Sequence, residues 1–295
     1  MKLIFLGTRG YIDAANDLHR RHACLEIRRG GRRVIIDCGE DWAGEIGRLA
    51  PDAILLTHGH PDHAFGLRAG APCPVFATEE TWKAIRRFPI AQRRTIRPRE
   101  RWLLHGCDIE AFPVVHSLRA PAVGYRVTAD GTAFFYVPDV VAIRDRRAAL
   151  ARAALYIGDG ATLLRSMVRV PRAPGGAREG MRIGHIPILR QLDWCRREGV
   201  PRAIFTHCGR GIVAGDEVLV AQRIAAWART RALEASIAHD GDAVALRAPR
   251  RAPDPHGRSG KSSSICMGRG PSGSQSSIVP DGDNCSQAGR APRRT

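Results

Sequence analysis

The sequence predicts an α/β fold, a layered αββα sandwich, from three observations. Short apolar runs of strand length recur through residues 1–248 and fall into two strand-rich halves. Stretches with apolar residues at helical spacing separate or flank them. With 295 residues and 44% hydrophobic content, the chain can bury the core that packed layers need.

The first half opens with strands at 3–6, 22–28 and 33–37, the last two closed into a hairpin across Gly30-Gly31. Strands at 53–57, 74–77 and 108–115 follow. The second half has strands at 122–128 and 132–137, joined by Ala129-Asp130-Gly131, then at 155–158, 203–206, 235–238 and 243–246. Helices are expected at 64–69, 79–87, 141–151, 186–198 and 215–230; in the last, Val218, Ile224, Ala225 and Ala228 keep helical spacing. From Ala248 onward the texture turns to Arg, Pro, Gly and Ser, with too few large apolar residues to offset the entropy of ordering. The expected organisation is a globular domain at 1–248 and a disordered basic tail at 249–295.

The opening Met1-Lys2-Leu3-Ile4-Phe5-Leu6-Gly7 reads as a first strand rather than a signal peptide. No apolar stretch is long enough to cross a bilayer, so the expectation is a soluble, cytoplasmic protein with no membrane partner. Eight scattered cysteines form no C-x-x-C pair, which favours reduced thiols over disulfides or a zinc knuckle. A net charge of +17 invites an anionic partner. That inference is discounted because only Lys2, Lys83 and Lys261 among the 46 basic residues are lysines; arginine beside abundant Ala, Gly and Pro reflects G+C-biased coding.

The most informative segment is Thr57-His58-Gly59-His60-Pro61-Asp62-His63, which follows the apolar run 53–56. His58 and His60 are two apart and point to one side of an extended chain. Asp62 and His63 fall where the chain turns into a helix, so the loop can serve two metals with nitrogen and oxygen ligands. Three more ligand types sit at strand ends: His116 after 109–115, Asp139 after 134–138 and His207 after 203–206. Each alone has an ordinary explanation as a turn or cap residue. The ordered series does not.

This series resembles the metallo-β-lactamase superfamily, whose H-x-H-x-D-H motif matches residues 58–63 in full. The resemblance covers about 1–248 and implies a four-layer αββα metallo-β-lactamase-like sandwich. It implies two divalent metal ions, zinc first, with manganese or iron as alternatives. One would be held by His58, His60 and His116, the other by Asp62, His63 and His207, with Asp139 bridging. Asp37 matches the family's early Asp, which orients ligands from behind. His60 stands where the di-iron redox branch has Glu. Gly184-His185, ahead of His207, resembles the extra catalytic histidine of the phosphodiesterase branch, which includes ribonuclease Z and the phosphoribosyl cyclic phosphodiesterase of phosphonate breakdown. Segments 157–162 and 238–241 also look like that branch. The chain departs from it in lacking a long arm between His116 and Asp139 and an N-terminal cysteine zinc site.

The implied activity is metal-dependent hydrolysis of a phosphodiester or cyclic phosphate, with the substrate an anionic small molecule or a nucleic acid. Two metals about 3.5–4 Å apart would ionise a shared water at neutral pH. Asp62 would accept a proton, and His185 would protonate the leaving alkoxide or bond a phosphoryl oxygen. Arg9, Arg119 and Arg165 are the cations considered for phosphate. Three alternatives stand: a hydrolase of thioesters, lactones or other carbonyl esters, a catalytically silent nucleic-acid-binding or scaffold protein, and an iron-dependent oxidation catalyst. A homodimer is implied by the resemblance alone.

Overall fold

Six strands open the chain: β1 (Lys2–Gly7), β2 (Cys24–Arg29), β3 (Arg32–Ile36), β4 (Ala53–Leu55), β5 (Val75–Ala77) and β6 (Arg93–Thr95), with α1 (Pro61–Ala64) and α2 (Glu79–Ala84) between the later ones. Next come β7 (Arg101–Leu104), β8 (Cys107–Val115), β9 (Ala122–Ala129), β10 (Thr132–Tyr136), β11 (Ala142–Ile143), α3 (Arg146–Leu150) and β12 (Leu155–Asp159). Strands β13 (Arg172–Ala173) and β14 (Gly176–Ala177) pair with each other. The chain continues through α4 (Ile188–Glu198), β15 (Arg202–Thr206), α5 (Arg210–Val213), α6 (Glu217–Arg229), β16 (Glu234–Ile237) and β17 (Ala243–Ala245). This computed structural model describes residues 1–170, 172–173, 176–177 and 182–247; the tail expected at 249–295 lies outside the described residues.

Two large sheets result. The first is seven-stranded, in the order β17-β1-β2-β3-β4-β5-β6. The second is eight-stranded, in the order β11-β8-β9-β10-β12-β15-β16, with β7 beside β8. Side-chain parity sorts their residues into three cores, as sheets buried on both faces require. Leu25, Ile27, Val34 and Ile36 of the first sheet meet Tyr125, Phe134, Tyr136, Leu155 and Ile157 of the second in the core between the sheets. The alternate residues Cys24, Ile35 and Ile54 face outward onto Trp42, Ala64, Leu67 and Trp82. Phe135, Tyr156, Ala203 and Phe205 face the opposite way, onto Ile188, Leu192, Ile224 and Ala228 of α4 and α6. The order of layers is therefore α, β, β, α.

The expected strands recur with ends shifted by a few residues. Strands β6 and β7 differ from expectation for separate reasons: Arg93-Arg94-Thr95 is exposed throughout, whereas in β7 the exposed Leu103 between half-buried Trp102 and Leu104 hides the alternation. The helix expected at 141–151 is shorter: Asp145 takes a left-handed backbone (φ 54°), and Ala142–Ile143 before it pairs with β8 instead. The helix expected at 64–69 begins earlier, at Pro61, a residue suited to the first helical turn. It then tightens into a 3₁₀ turn over Phe65–Leu67. The six cysteines among the described residues are buried and free. No helix among the described residues is long and apolar enough to cross a membrane.

Strand direction places the site. β10, β12 and β15 run parallel, and β8 runs with them because both β8 and β10 are antiparallel to β9. Four C-terminal strand ends therefore share one edge, the usual position for a ligand crevice in parallel sheets. In the other sheet β3 and β4 are parallel. Two bonds tie the sheets together here: Val123 N donates to Thr57 O (3.0 Å), and Tyr125 Oη donates to Leu56 O (2.7 Å).

Candidate metal centre

The expected site residues lie at strand ends or on the short elements that follow them. Asp37 follows β3, and His58 follows β4. His60 caps α1, whose first turn carries Asp62 and His63. His116, Asp139 and His207 follow β8, β10 and β15, while His185 lies ahead of α4. Asp37 (φ 64°) and His207 (φ 54°) hold left-handed backbones that cost non-glycine residues energy, as residues at functional sites often do.

The seven residues expected as ligands converge in two groups that share Asp139: His58, His60, His116 and Asp139, and Asp62, His63, Asp139 and His207. In the first, His60 Nδ1 lies 2.9 Å from His58 Nε2 and 3.3 Å from His116 Nε2. Asp139 Oδ2 is 3.3 Å from His58 Nε2 and 3.7 Å from His116 Nε2. Ligand atoms at the corners of a tetrahedron about 2.0–2.1 Å from zinc stand about 3.3 Å apart. In the second group, Asp62 Oδ2 is 3.2 Å from His63 Nε2 and 2.9 Å from His207 Nε2. Asp139 Oδ2 is 2.8 Å from His63 Nε2, and Asp139 Oδ1 is 3.1 Å from His207 Nδ1. Yet His63 Nε2, Asp139 Oδ1 and His207 Nδ1 are buried without a hydrogen-bond partner. Atoms this close but misaligned for bonding one another are aimed at a common point, so the donor set fits metal ions with nitrogen and carboxylate preference.

The opposite edge of each ring explains the aim. His63 Nδ1 pairs with Asp37 Oδ2 (2.9 Å), and Asp37 also accepts from Thr57 N and Oγ1. Thr57 spends its hydroxyl proton on Asp37, so its oxygen accepts from His58 Nδ1 (3.0 Å). His116 Nδ1 donates to Gly184 O (3.1 Å). These bonds fix the tautomers with Nε2 turned inward. His60 is reversed, with Nδ1 inward.

Charge divides the groups. Burial, reinforced by neighbouring imidazoles, holds His58 well below its ordinary value, brings His60 down to about 4 and lowers His116. Three neutral rings with free lone pairs result. Burial pulls His63 and His207 downward too, but the surrounding carboxylates outweigh it: Asp62, Asp139 and Asp37 raise His63, and Asp139, Asp159 and Asp62 lift His207 to about 10. Burial alone would raise Asp62 and Asp139, but the adjacent histidines hold both well below the usual carboxylate range.

His185 stands beside this cluster, its ring centroid 5.1 Å from His116 and 5.5 Å from His207. Its Nδ1 donates to Asp159 Oδ2 (2.8 Å). Burial lowers the His185 pKa, but Asp159 and Asp139 outweigh that and raise it. Asp159 had no expected role. It is fully buried, and its carboxylate also accepts from Val140 N (3.0 Å) and Ala161 N (2.8 Å). Gln191 clamps its backbone, accepting from Asp159 N and donating to Asp159 O. The signal was present in Ile157-Gly158-Asp159-Gly160, a strand-end Asp like Asp139. Asp139, Asp159, His185 and His207 form a third grouping, which overlaps the second and is not an independent site.

A cleft of about 790 Å³ opens over His60, Asp62, His116, Asp139, His185 and His207. Of the arginines considered for phosphate, Arg165 lines it. Arg119 is exposed and lies outside the lining, while Arg9 is committed to Asp41 Oδ2 (2.6 Å) and Ile12 O (2.6 Å). Arg210 and Arg223, from α5 and α6, line the cleft in their place.

A family model described as "Beta-lactamase superfamily domain" matches residues 32–208, from β3 to the residue after His207. Ribonuclease Z of a Bradyrhizobium species is 41% identical over 71 residues, 22% of this chain and 23% of that relative. The aligned part thus spans less than a quarter of the relative's length. Ribonuclease Z of Mycolicibacterium paratuberculosis is 26% identical over 242 residues, 68% of this chain and 84% of the relative. Among solved structures, Zn2+-bound PqqB from Methylobacterium extorquens superposes with a TM-score of 0.61 at 20% identity, over 83% of this chain and 100% of that one, a likeness of fold.

Proposed function

The chain belongs to the beta-lactamase superfamily, and on that premise we propose that it is a metal-dependent hydrolase, more narrowly a dinuclear phosphodiesterase. The observation that carries this reading is His185, held by Asp159 beside both ligand groups and lining the cleft. The ribonuclease Z relatives support phosphodiester chemistry. The donor set, five imidazoles with carboxylates, favours zinc over magnesium or calcium.

His58, His60 and His116 would hold one cation, Asp62, His63 and His207 the other, and Asp139 both. Such a pair supplies an activated water and neutralises charge on the phosphoryl oxygens. Asp62, on the cleft wall, would accept the proton released by the attacking water. His185 keeps Nδ1–H on Asp159 and has Nε2 for the substrate. From Nε2 it donates a proton to the departing alkoxide as the ester P–O bond breaks. Asp37 keeps the His63 ring fixed throughout.

The test is a substrate panel on one preparation: bis(4-nitrophenyl) phosphate, a thioester and a lactam. The phosphodiester should be turned over fastest. On a dialkyl phosphodiester, whose alkoxide leaving group needs a proton, His185→Ala should keep its metal content and lose about 10²–10⁴-fold in kcat. Turnover of the variant at the parental rate would remove His185 from the mechanism, and preference for the thioester would overturn the phosphodiesterase reading.

A further inference from the structure

We propose that Tyr11, Leu164 and Met167 form an apolar subsite for the second ester group of the substrate. The enzyme would then prefer small phosphodiesters bearing an aromatic or aliphatic group over those bearing a polar one. This rests on the phosphodiesterase reading of the metal centre.

These three are among the few large apolar side chains left in solvent, at 61%, 51% and 47% exposure. All three line the cavity that holds His60, Asp62, His116, Asp139, His185 and His207. They come from distant parts of the chain. Tyr11 lies between β1 and β2, whereas Leu164 and Met167 follow β12. Two separate segments thus bring apolar surface to one mouth, which isolated surface residues rarely do.

The exposure is built into the backbone. Ile188 N donates to Thr162 O (2.9 Å), Met167 N donates to His185 O (3.0 Å), and Arg169 and Ile183 exchange two bonds of 2.8 and 2.9 Å. The segment carrying Leu164 and Met167 is therefore laced to the segment carrying His185. Neighbours Ile12 and Leu163 pack inward against the helix-side core, anchoring both lips. The Tyr11 ring lies 5.9 Å from that of His22. A cleft of about 790 Å³ with a polar floor and apolar lips has the size and make-up of a small-molecule site. The floor orients the phosphate, and the lips gain by covering an apolar group.

The test uses four 4-nitrophenyl phosphodiesters that share a leaving group and differ in the second ester: methyl, 2-hydroxyethyl, butyl and benzyl. Butyl and benzyl should exceed methyl in kcat/KM by about 10- to 100-fold, and hydroxyethyl should not. In Tyr11→Ser and in Leu164→Ser/Met167→Ser the spread should shrink toward unity, with metal content and circular dichroism confirming that these surface variants fold. A flat series in the parent overturns the subsite and leaves the phosphodiesterase standing. Failure of the metal-loaded enzyme to cleave any of the four overturns both.

Discussion

His58, His63, His116 and His185 share one habit: each commits Nδ1 to a fixed partner, respectively Thr57, Asp37, Gly184 O and Asp159. The sequence displayed these residue types but not which nitrogen each ring would offer, because that depends on partners up to 68 positions away. Asp159 went unassigned for the same reason: its ring partner lies 26 residues on. A histidine outside the centre carries a prediction of its own. His19 is buried, and its Nδ1 meets Thr8 Oγ1 (2.7 Å), which in turn donates to Asp240 Oδ1 (2.7 Å). Burial, aided by His239 and opposed by Asp242, lowers its pKa to about 4 from the ordinary 6.5. The unfolded chain therefore binds this proton more readily. The His19 contribution is full above pH 6.5 and is lost as pH falls toward 4. Between pH 7.5 and 5 the parent should lose on the order of 2 kcal/mol more stability than His19→Asn, read by urea unfolding at matched metal load. Equal losses would show that His19 does not carry a lowered pKa.

At the scale of elements, period-two alternation made the central strands legible, and that alternation sorts Phe134 and Tyr136 from Phe135. Edge strands β6 and β7 and the break before α3 were not legible: β6 is exposed throughout, an outward-facing Leu103 masks the alternation of β7, and a single left-handed Asp leaves no periodic trace. One element sensitive to single changes, and tied to the site, is the turn before α4. Gly184 has φ +110°, and a Cβ there would stand 2.2 Å from Met167 O. Its carbonyl also receives the His116 Nδ1 proton. Gly184→Ala should displace both His116 and His185, lowering kcat/KM about 100-fold with loss of bound metal. Gly199, at the end of α4, also has positive φ (+70°) but open space around it. Gly199→Ala should cost about 1 kcal/mol of stability and leave metal content and kcat/KM intact. Indistinguishable behaviour of the two variants would mean that Gly184 is an ordinary turn glycine.

Across the whole molecule, the centre exists only where the two sheets meet. Asp37, His58, His60, Asp62 and His63 come from the first sheet's strand ends and α1, while His116, Asp139, Asp159 and His207 come from the second. Strand order in the sequence pointed to both halves, but their approach at one edge follows from β8, β10, β12 and β15 running the same way, a property of pairing rather than of any local segment. Cations bridging the halves would therefore stabilise the folded chain as well as supply its chemistry. The most direct measurement is elemental analysis of the purified protein, paired with bis(4-nitrophenyl) phosphate turnover before and after chelation. About two equivalents of a transition metal per chain are expected, zinc foremost, with turnover lost on chelation and restored on adding the metal back. A folded chain that takes up no transition metal, or one that keeps its full turnover after the metal is stripped, would contradict the dinuclear assignment.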